Sequence, residues 1–163
     1  MKILIVFYSL TGNTKKLAMA IAAAAGGDLL EIKTKKEIPG NGFAKYWAAG
    51  LQIIKRGLPE LLPADKNPGN YDLIFLGTPV WAATLAPAVH SFLLGSKLKN
   101  KKIALFCAHG GDNPGKAFEE LRKGLTGNEI VGQLDFKMDM IPSQQLSANL
   151  KRAADWARKI AGK

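Results

Sequence analysis

Residues 2–25 read K-I-L-I-V-F-Y-S-L-T-G-N-T-K-K-L-A-M-A-I-A-A-A-A, and this stretch predicts a buried strand that passes directly into a helix. The run Lys2–Ser9 is apolar and rich in Ile and Val, which is typical of a strand covered on both faces. From Asn13 to Ala25 the apolar residues recur at helical spacing, and a glycine pair follows as a helix stop. The stretch therefore predicts the opening of an α/β fold.

The rest of the sequence continues this alternation. Further strands are predicted at Asp28–Lys35, Tyr71–Gly77, Lys101–Ala108 and Glu129–Met138, and further helices at Pro87–Gly95, Pro114–Leu125 and Ser147–Ala161. Residues 37–62 form an insert in which apolar residues from Phe43 to Leu58 recur at the spacing of an amphipathic helix. Strands joined by helices form parallel sheets with right-handed crossovers, so the pattern predicts a doubly wound sandwich with a five-stranded parallel sheet and helices on both faces.

The composition indicates one soluble domain that spans residues 1–163. The chain is 47% apolar, yet no apolar run reaches the ~20 residues of a membrane-spanning helix. No signal peptide precedes the first strand, so we expect a cytoplasmic location. Cys107 is the single cysteine, and His90 and His109 are the two histidines, which excludes an internal disulfide and argues against a metal site.

The formal net charge is +10, from 23 basic and 13 acidic residues, and it predicts attraction to acidic partners or polyanions. The lysines are spread over segments 33–36, 97–102 and 151–163 instead of lying on one amphipathic helix. No nucleic-acid-binding motif accompanies them, so specific nucleic-acid recognition is not expected.

The loop S-L-T-G-N-T, Ser9–Thr14, predicts a phosphate site. A helix N-terminus offers unpaired N–H groups and about half a positive charge, which favours an anion. Three hydroxyls and one amide add neutral donors, and Gly12 lets the backbone approach the ligand. The simpler interpretation is that Thr11 or Asn13 is only an N-cap. A cap needs one such residue, whereas five of these six positions are donors or glycine.

Two more loops follow strands at the same predicted edge of the sheet, where ligands of such folds bind. In Gly77–Pro87, Trp81 either offers a flat face to an aromatic ring or covers the edge of the core. The segment Gly110–Lys116 fits the pattern G-x-x-x-x-G-K, but the next residue is Ala117 where a P-loop requires Ser or Thr. We therefore interpret Cys107–Lys116 as a glycine loop that hydrogen-bonds a ligand through its backbone.

Together the three loops resemble the flavodoxin family over nearly the whole chain. S-L-T-G-N-T matches its flavin mononucleotide (FMN) phosphate loop, Y-D-L-I-F-L-G-T-P-V-W matches the strand and aromatic loop that hold the isoalloxazine, and C-A-H-G-G-D-N-P-G-K-A-F stands at its third flavin loop. The resemblance implies a flavodoxin-like strand order 2-1-3-4-5 and FMN as the cofactor. It implies that the phosphate is held by Ser9, Leu10, Thr11, Gly12, Asn13 and Thr14. It implies that the ring is lined by Thr78, Pro79, Val80, Trp81 and Ala82, with Trp81 stacking on it. The other side of the ring would be closed by Cys107, Ala108, His109, Gly110 and Gly111.

The resemblance implies electron transfer through a non-covalently bound flavin, with a redox partner protein that the positive charge suggests is acidic. The chain departs from many acidic carriers because it has no aromatic residue between Phe106 and Phe118. Such an open side would suit an FMN-dependent oxidoreductase that uses a quinone or a nicotinamide. A basic interaction protein that keeps the fold without flavin is the third alternative.

Individual residues carry further expectations. Asp112 is the only carboxylate that we expect near the ring, which predicts a less negative potential than in acidic flavodoxins. In flavodoxins the peptide after the aromatic residue can turn towards the one-electron-reduced flavin, and a glycine makes that turn easy. Ala82 and Ala83 occupy this stretch, so the resemblance implies that the one-electron form is less favoured, which suits two-electron chemistry. We expect Cys107 to be a small core residue, His109 to lie on the loop surface, and His90 to have a packing or surface role.

Overall fold

The apolar runs of the sequence form a parallel sheet in this computed structural model, which describes residues 1–36 and 57–163. Within these ranges the strands are β1 (Ile3–Phe7), β2 (Asp28–Glu31), β3 (Leu73–Trp81), β4 (Thr84–Leu85), β5 (Lys102–His109) and β6 (Glu129–Lys137), and the helices are α1 (Asn13–Ala25), α2 (Pro87–Ser96), α3 (Ala117–Gly124) and α4 (Ser143–Ala161), with a short 3-10 helix at Pro68–Asn70.

The strand order is β2-β1-β3-β5-β6, and all four of these pairings are parallel. It equals the expected order 2-1-3-4-5 once the short β4 is set aside, so the flavodoxin-like fold is confirmed. The order reverses between β1 and β3, because the chain leaves β1 towards β2 on one side and later adds β5 and β6 on the other. In a sheet of this kind the ligand crevice lies at the carboxyl ends of the strands that flank the reversal.

The hairpin of β3 and β4 differs from the expected loop. β3 does not end at Gly77 but continues to Trp81, and β4 returns antiparallel to it with the pairs Val80↔Leu85 and Trp81↔Thr84. Val80 and Trp81 have high strand propensity, so they extend the ladder past Pro79.

Among the described elements, two helices cover each face of the sheet. One core cluster joins α1 and α4 to side chains such as Ile5, Phe75 and Phe106. The other joins α2 and α3 to side chains such as Leu4 and Leu105. Burial on both faces explains why the central strands read as continuous apolar runs instead of alternating patterns.

Several strands and helices begin or end at residues other than those predicted from the sequence. β2 ends at Glu31, and Thr34 beyond it forms an isolated bridge with Leu61. α3 begins at Ala117, because Gly115 has a φ of 56° that interrupts a helix. α4 begins four residues early, at Ser143 directly after Pro142.

The bounds of α1 match the sequence prediction. Most of the predicted helical insert, residues 37–56, lies outside the described residues. None of the helices described in residues 1–36 and 57–163 is long and apolar enough to cross a membrane.

Candidate functional site

A narrow cleft opens at the carboxyl ends of β1 and β3, where the strand order reverses. Its walls come from the loop after β1, from the β3–β4 hairpin, from the end of β5 and from the segment after β6. The lining residues are Leu10, Thr11, Asn13, Thr14, Pro79, Val80, Trp81, Ala108 and Asp139. All of these except Asp139 belong to the set that the sequence implied, so residues from all three predicted loops meet in one place.

The first loop leaves the start of α1 open to a ligand. Gly12 is the N-cap residue with a φ of 90°, and it has no side chain that could cap the helix. The Ser9 hydroxyl oxygen instead accepts hydrogen bonds from the backbone N–H groups of Gly12 and Lys15, at 3.1 and 3.2 Å. Ser9 therefore shapes the loop, while the N–H groups of Asn13 and Thr14 stand at the positive end of the helix.

Asp139 is a site residue that the sequence analysis missed. Its Oδ1 accepts a hydrogen bond from the side-chain amide of Asn13 at 2.5 Å. On its other side it approaches Gly110 so closely that a Cβ on this glycine would lie 2.7 Å from Oδ2 of Asp139. Asp139 thus contacts both the first and the third loop. Asp139 follows the last strand and so lies at the same edge of the sheet as the three predicted loops. This position is the sequence signal that could have identified it as a site residue.

The expectation that Asp112 is the only nearby carboxylate is wrong. The side chain of Asp112 is 96% exposed, and it lies 3.5 Å from the Lys137 ammonium outside the cleft. Asp139 lines the cleft instead. A scarcity of carboxylates near the ring therefore no longer supports the expectation of a less negative potential.

Thr78 and Trp81 belong to the hairpin wall and are largely buried. The Thr78 hydroxyl donates to the carbonyl of Pro79 at 2.9 Å and accepts from the N–H of Ala86 at 3.1 Å, which fastens the base of the hairpin. The Trp81 side chain packs edge-on against Tyr8, with ring centroids 5.7 Å apart. Trp81 thus covers the edge of the core and also lines the cleft, and its stacking on a flavin stays a prediction.

The tip of the hairpin is a turn with two residues in left-handed conformation. Ala82 and Ala83 have φ values of 47° and 62°, although each alanine there costs about 1–2 kcal/mol relative to an ordinary conformation. The turn is held by α3 and the residues before it. The Ala83 carbonyl accepts from the N–H of Lys116 at 2.7 Å, and the Thr84 hydroxyl donates to the Glu120 carboxylate.

His109 does not lie on the loop surface as expected, because it is the last residue of β5 and is buried. Its Nδ1 lies 2.9 Å from the carbonyl oxygen of Gly111, and its Nε2 lies 3.0 Å from Oδ2 of Asp135. Both oxygens are acceptors, so the ring donates to both when it carries two protons and to one of them otherwise. The imidazole therefore ties the glycine loop to β6.

Cys107 and His90 fit their simpler interpretations. Cys107 is buried in the core on the side of α2 and α3. Burial, and to a lesser degree the Asp135 carboxylate, raises the pKa of the Cys107 thiol far above its usual range. His90 is exposed on α2. Gly110 and Gly111 are also exposed and leave their backbone groups accessible at the edge of the third loop.

The donors and walls of the cleft fit a phosphate monoester attached to a planar ring. Gly12 adopts a conformation that other residues rarely reach, and a Cβ there would meet no neighbouring atom, so its role is conformational. The N–H groups of Asn13 and Thr14 at the start of α1 suit the phosphate, and the Pro79–Trp81 wall suits the ring. Asp139 is the feature of the site that opposes an anion.

Comparisons with known proteins agree with this fold. The family model described as Flavodoxin matches residues 2–138. BilS, a flavodoxin-like domain-containing protein of Clostridioides difficile (strain CD3), is 31% identical over 137 residues, which are 81% of this chain and 63% of the length of that relative. A flavoprotein of Lactobacillus acidophilus NCFM, solved in complex with FMN, is 28% identical with a TM-score of 0.70 over 82% of this chain and 92% of that chain.

A solved structure from Bacteroides eggerthii DSM 20697 shares the fold at 24% identity, with a TM-score of 0.71 over 94% of this chain and 98% of that chain. The family model extends from the start of β1 past the end of β6, so it contains the first three loops that line the cleft, whereas Asp139 lies just beyond it. On this evidence, the chain belongs to the flavodoxin family.

Proposed function

We propose that this chain is an FMN-dependent redox protein that transfers electrons through a non-covalently bound flavin. The observation that carries the proposal is the cleft at the strand reversal, where loops after β1, β3 and β5 meet. The related Lactobacillus flavoprotein is solved with FMN, which supports the choice of cofactor. Bound FMN supplies one- and two-electron redox chemistry that no side chain of the protein provides.

The residues of the cleft have distinct roles in this proposal. The N–H groups at the start of α1, with the Thr11 hydroxyl, bind the phosphate. Pro79, Val80 and Trp81 form an apolar wall that shields one side of the ring from water. The exposed backbone of Gly110 and Gly111 hydrogen-bonds the polar edge of the ring. These groups orient the cofactor and leave its chemistry to the flavin itself.

The visible spectrum of the purified protein, before and after FMN is added, tests this proposal. We expect the absorbance bands of oxidised flavin and quenching of flavin fluorescence on titration. A colourless protein that does not bind added FMN would contradict the proposal and favour the flavin-free interaction protein.

We favour an electron carrier, and its partner is proposed to be an acidic redox protein. The net charge of +10 supports this partner, because opposite charge raises the rate of encounter. Reduction of the FMN-loaded chain by an acidic ferredoxin-type protein, monitored by loss of flavin absorbance, tests it. A carrier accepts these electrons, and it does not oxidise NAD(P)H on its own.

An FMN-dependent NAD(P)H- or quinone-linked oxidoreductase is the second candidate, and one observation favours it. The side chains at positions 110–113 are small and exposed, and none is aromatic, so the third loop does not supply a ring that would cover the flavin. Steady-state oxidation of NADPH with a quinone distinguishes the two candidates. Fast turnover supports the oxidoreductase. Absence of turnover, together with electron transfer to or from a redox protein, supports the carrier.

A further inference from the structure

The carboxylate of Asp139 lies against the loop that we assign to the cofactor phosphate. Asp139 lines the same cleft as Thr11, Asn13 and Thr14, and it is partly buried. Its Oδ1 takes a hydrogen bond of 2.5 Å from the Asn13 side-chain amide. A negatively charged group thus lies beside the N-terminus of a 13-residue helix and engages one of the donors that a phosphate would use.

The backbone that leads to Asp139 is fixed by two hydrogen bonds. The N–H of Met138 donates to the carbonyl of His109 at 2.9 Å, which joins this segment to the end of β5. The buried side chain of Asn149, on α4, donates to the carbonyl of Lys137 at 2.8 Å. Since α4 begins at Ser143, only a short connection remains beyond Asp139. We therefore expect a ligand to displace the Asp139 side chain while the preceding backbone stays in place.

The glycine at position 110 allows this close approach. A Cβ there would lie 2.7 Å from Oδ2 of Asp139, closer than such atoms come, and 3.1 Å from the Cβ of Asp139. The carboxylate is thus confined between the first and third loops. When a phosphate binds to the first loop, it must share or take over the Asn13 amide and lie close to a like charge in a partly buried site, where like charges repel more strongly than in water.

We propose that Asp139 is a specificity-determining residue of the cofactor site: its carboxylate competes with the FMN phosphate for the first loop, and so reduces the preference of the chain for FMN over riboflavin. The inference rests on the proposed function, because it presupposes that flavin binds in this cleft. Riboflavin lacks the phosphate, so its binding is not subject to this competition.

Replacement of Asp139 by asparagine tests the competition, because Asp139→Asn removes the charge and keeps an oxygen that accepts from Asn13. Asp112→Asn is the matched control, since it removes an exposed carboxylate from the third loop outside the cleft. The apo forms of wild type and both variants are titrated with FMN and with riboflavin at low salt and neutral pH, with flavin fluorescence as the readout. We expect Asp139→Asn to bind FMN about tenfold more tightly and riboflavin with unchanged affinity. The control is expected to change neither affinity.

Each outcome separates this inference from the proposed function. If wild type binds neither flavin, the proposed function fails. If both flavins bind and Asp139→Asn leaves the ratio of their affinities unchanged, or weakens FMN binding, the role of Asp139 is overturned while the proposed function stands.

Nuclear magnetic resonance of the wild-type protein gives a second test that does not depend on the variant folding. We expect the Asn13 side-chain amide resonances to shift when FMN is added and to stay in place when riboflavin is added. Equal shifts with both flavins would overturn the inference.

Discussion

Gly77 is the residue on which the packing of β3 against β5 depends. It pairs with Phe106 across the two strands, and the Phe106 ring lies over it so closely that a Cβ on Gly77 would be 2.1 Å from Cζ. Phe106 is itself fully buried, so the ring has little room to withdraw. The glycine is thus required by close packing and not by its φ angle.

We expect Gly77→Ala to lower the free energy of unfolding by about 2–4 kcal/mol, because overpacking in a dense core forces rotamer and backbone shifts. Gly95→Ala is the matched control. Gly95 lies in α2, and a Cβ there would meet no atom within 4 Å, so this change is expected to stabilise by up to about 1 kcal/mol. Urea unfolding measures both. A loss below about 1 kcal/mol for Gly77→Ala would show that Phe106 can move aside.

Cys107 gives a chemical test of burial. Its thiol is inaccessible, and burial raises its pKa, so the reactive thiolate is scarce near pH 8. We expect a thiol reagent to leave the native protein unmodified over hours and to label it rapidly in denaturant, as measured by mass spectrometry. Rapid labelling of the native form would mean that the edge of the core beneath α2 and α3 opens readily.

The β3–β4 hairpin is held in a strained turn by elements that follow it in the chain. Ala83 has a φ of 62°, and its carbonyl is bonded to the N–H of Lys116. Gly115, with a φ of 56°, brings the chain so close that a Cβ on it would lie 2.4 Å from the same carbonyl oxygen. The contacts with the start of α3 thus offset the cost of the turn.

We expect Ala83→Gly to raise the free energy of unfolding by about 0.5–1 kcal/mol, because glycine adopts a left-handed conformation without steric cost. Ala64→Gly is the control. Ala64 lies in an exposed segment and is not among the residues with positive φ, so glycine there is expected to destabilise slightly through the entropy of the unfolded chain. Thermal unfolding measures the change in stability for both variants. If both substitutions change the free energy of unfolding in the same direction, the role of strain at Ala83 is contradicted.

The single elements also show where sequence reasoning succeeds. α1 is predictable because its apolar spacing and its glycine stop are local features, and its bounds agree with the structure. β4 is not predictable in this way. Its two residues pair with Val80 and Trp81 across the strained turn at Ala82 and Ala83, and that turn is held by contacts from outside the hairpin.

The charge of the whole molecule predicts how its proposed electron transfer depends on salt. With a net charge of +10, association with an acidic redox protein is steered by long-range attraction, which is screened as the Debye length falls. We expect the rate constant for reduction by such a protein to fall about tenfold or more between low salt and roughly 0.5 M salt. Stopped-flow absorbance of the flavin measures it, with a small neutral reductant as the control. A rate that rises with salt would contradict an acidic partner.

The arrangement of the whole sheet follows from the sequence, whereas the finer chemistry of the cleft does not. Strands buried on both faces and helices with one apolar face leave clear patterns, and these place three loops at one edge. The bond between Asn13 and Asp139 joins residues 126 positions apart, and that between His109 and Asp135 joins residues 26 positions apart. No local pattern reports such pairs, so Asp139 was missed and His109 was assigned to the surface.

The hydrogen bonds from Lys116 to Ala83 and from Met138 to His109 join the hairpin, the third loop and the segment after β6 into one connected rim around the cleft. A ligand that orders one part of this rim lowers the entropic cost of ordering the rest. Cofactor binding and partner docking at the rim are therefore expected to be thermodynamically linked. This linkage is reciprocal. If the bound cofactor strengthens the docking of a partner by some factor, the docked partner strengthens the binding of the cofactor by the same factor.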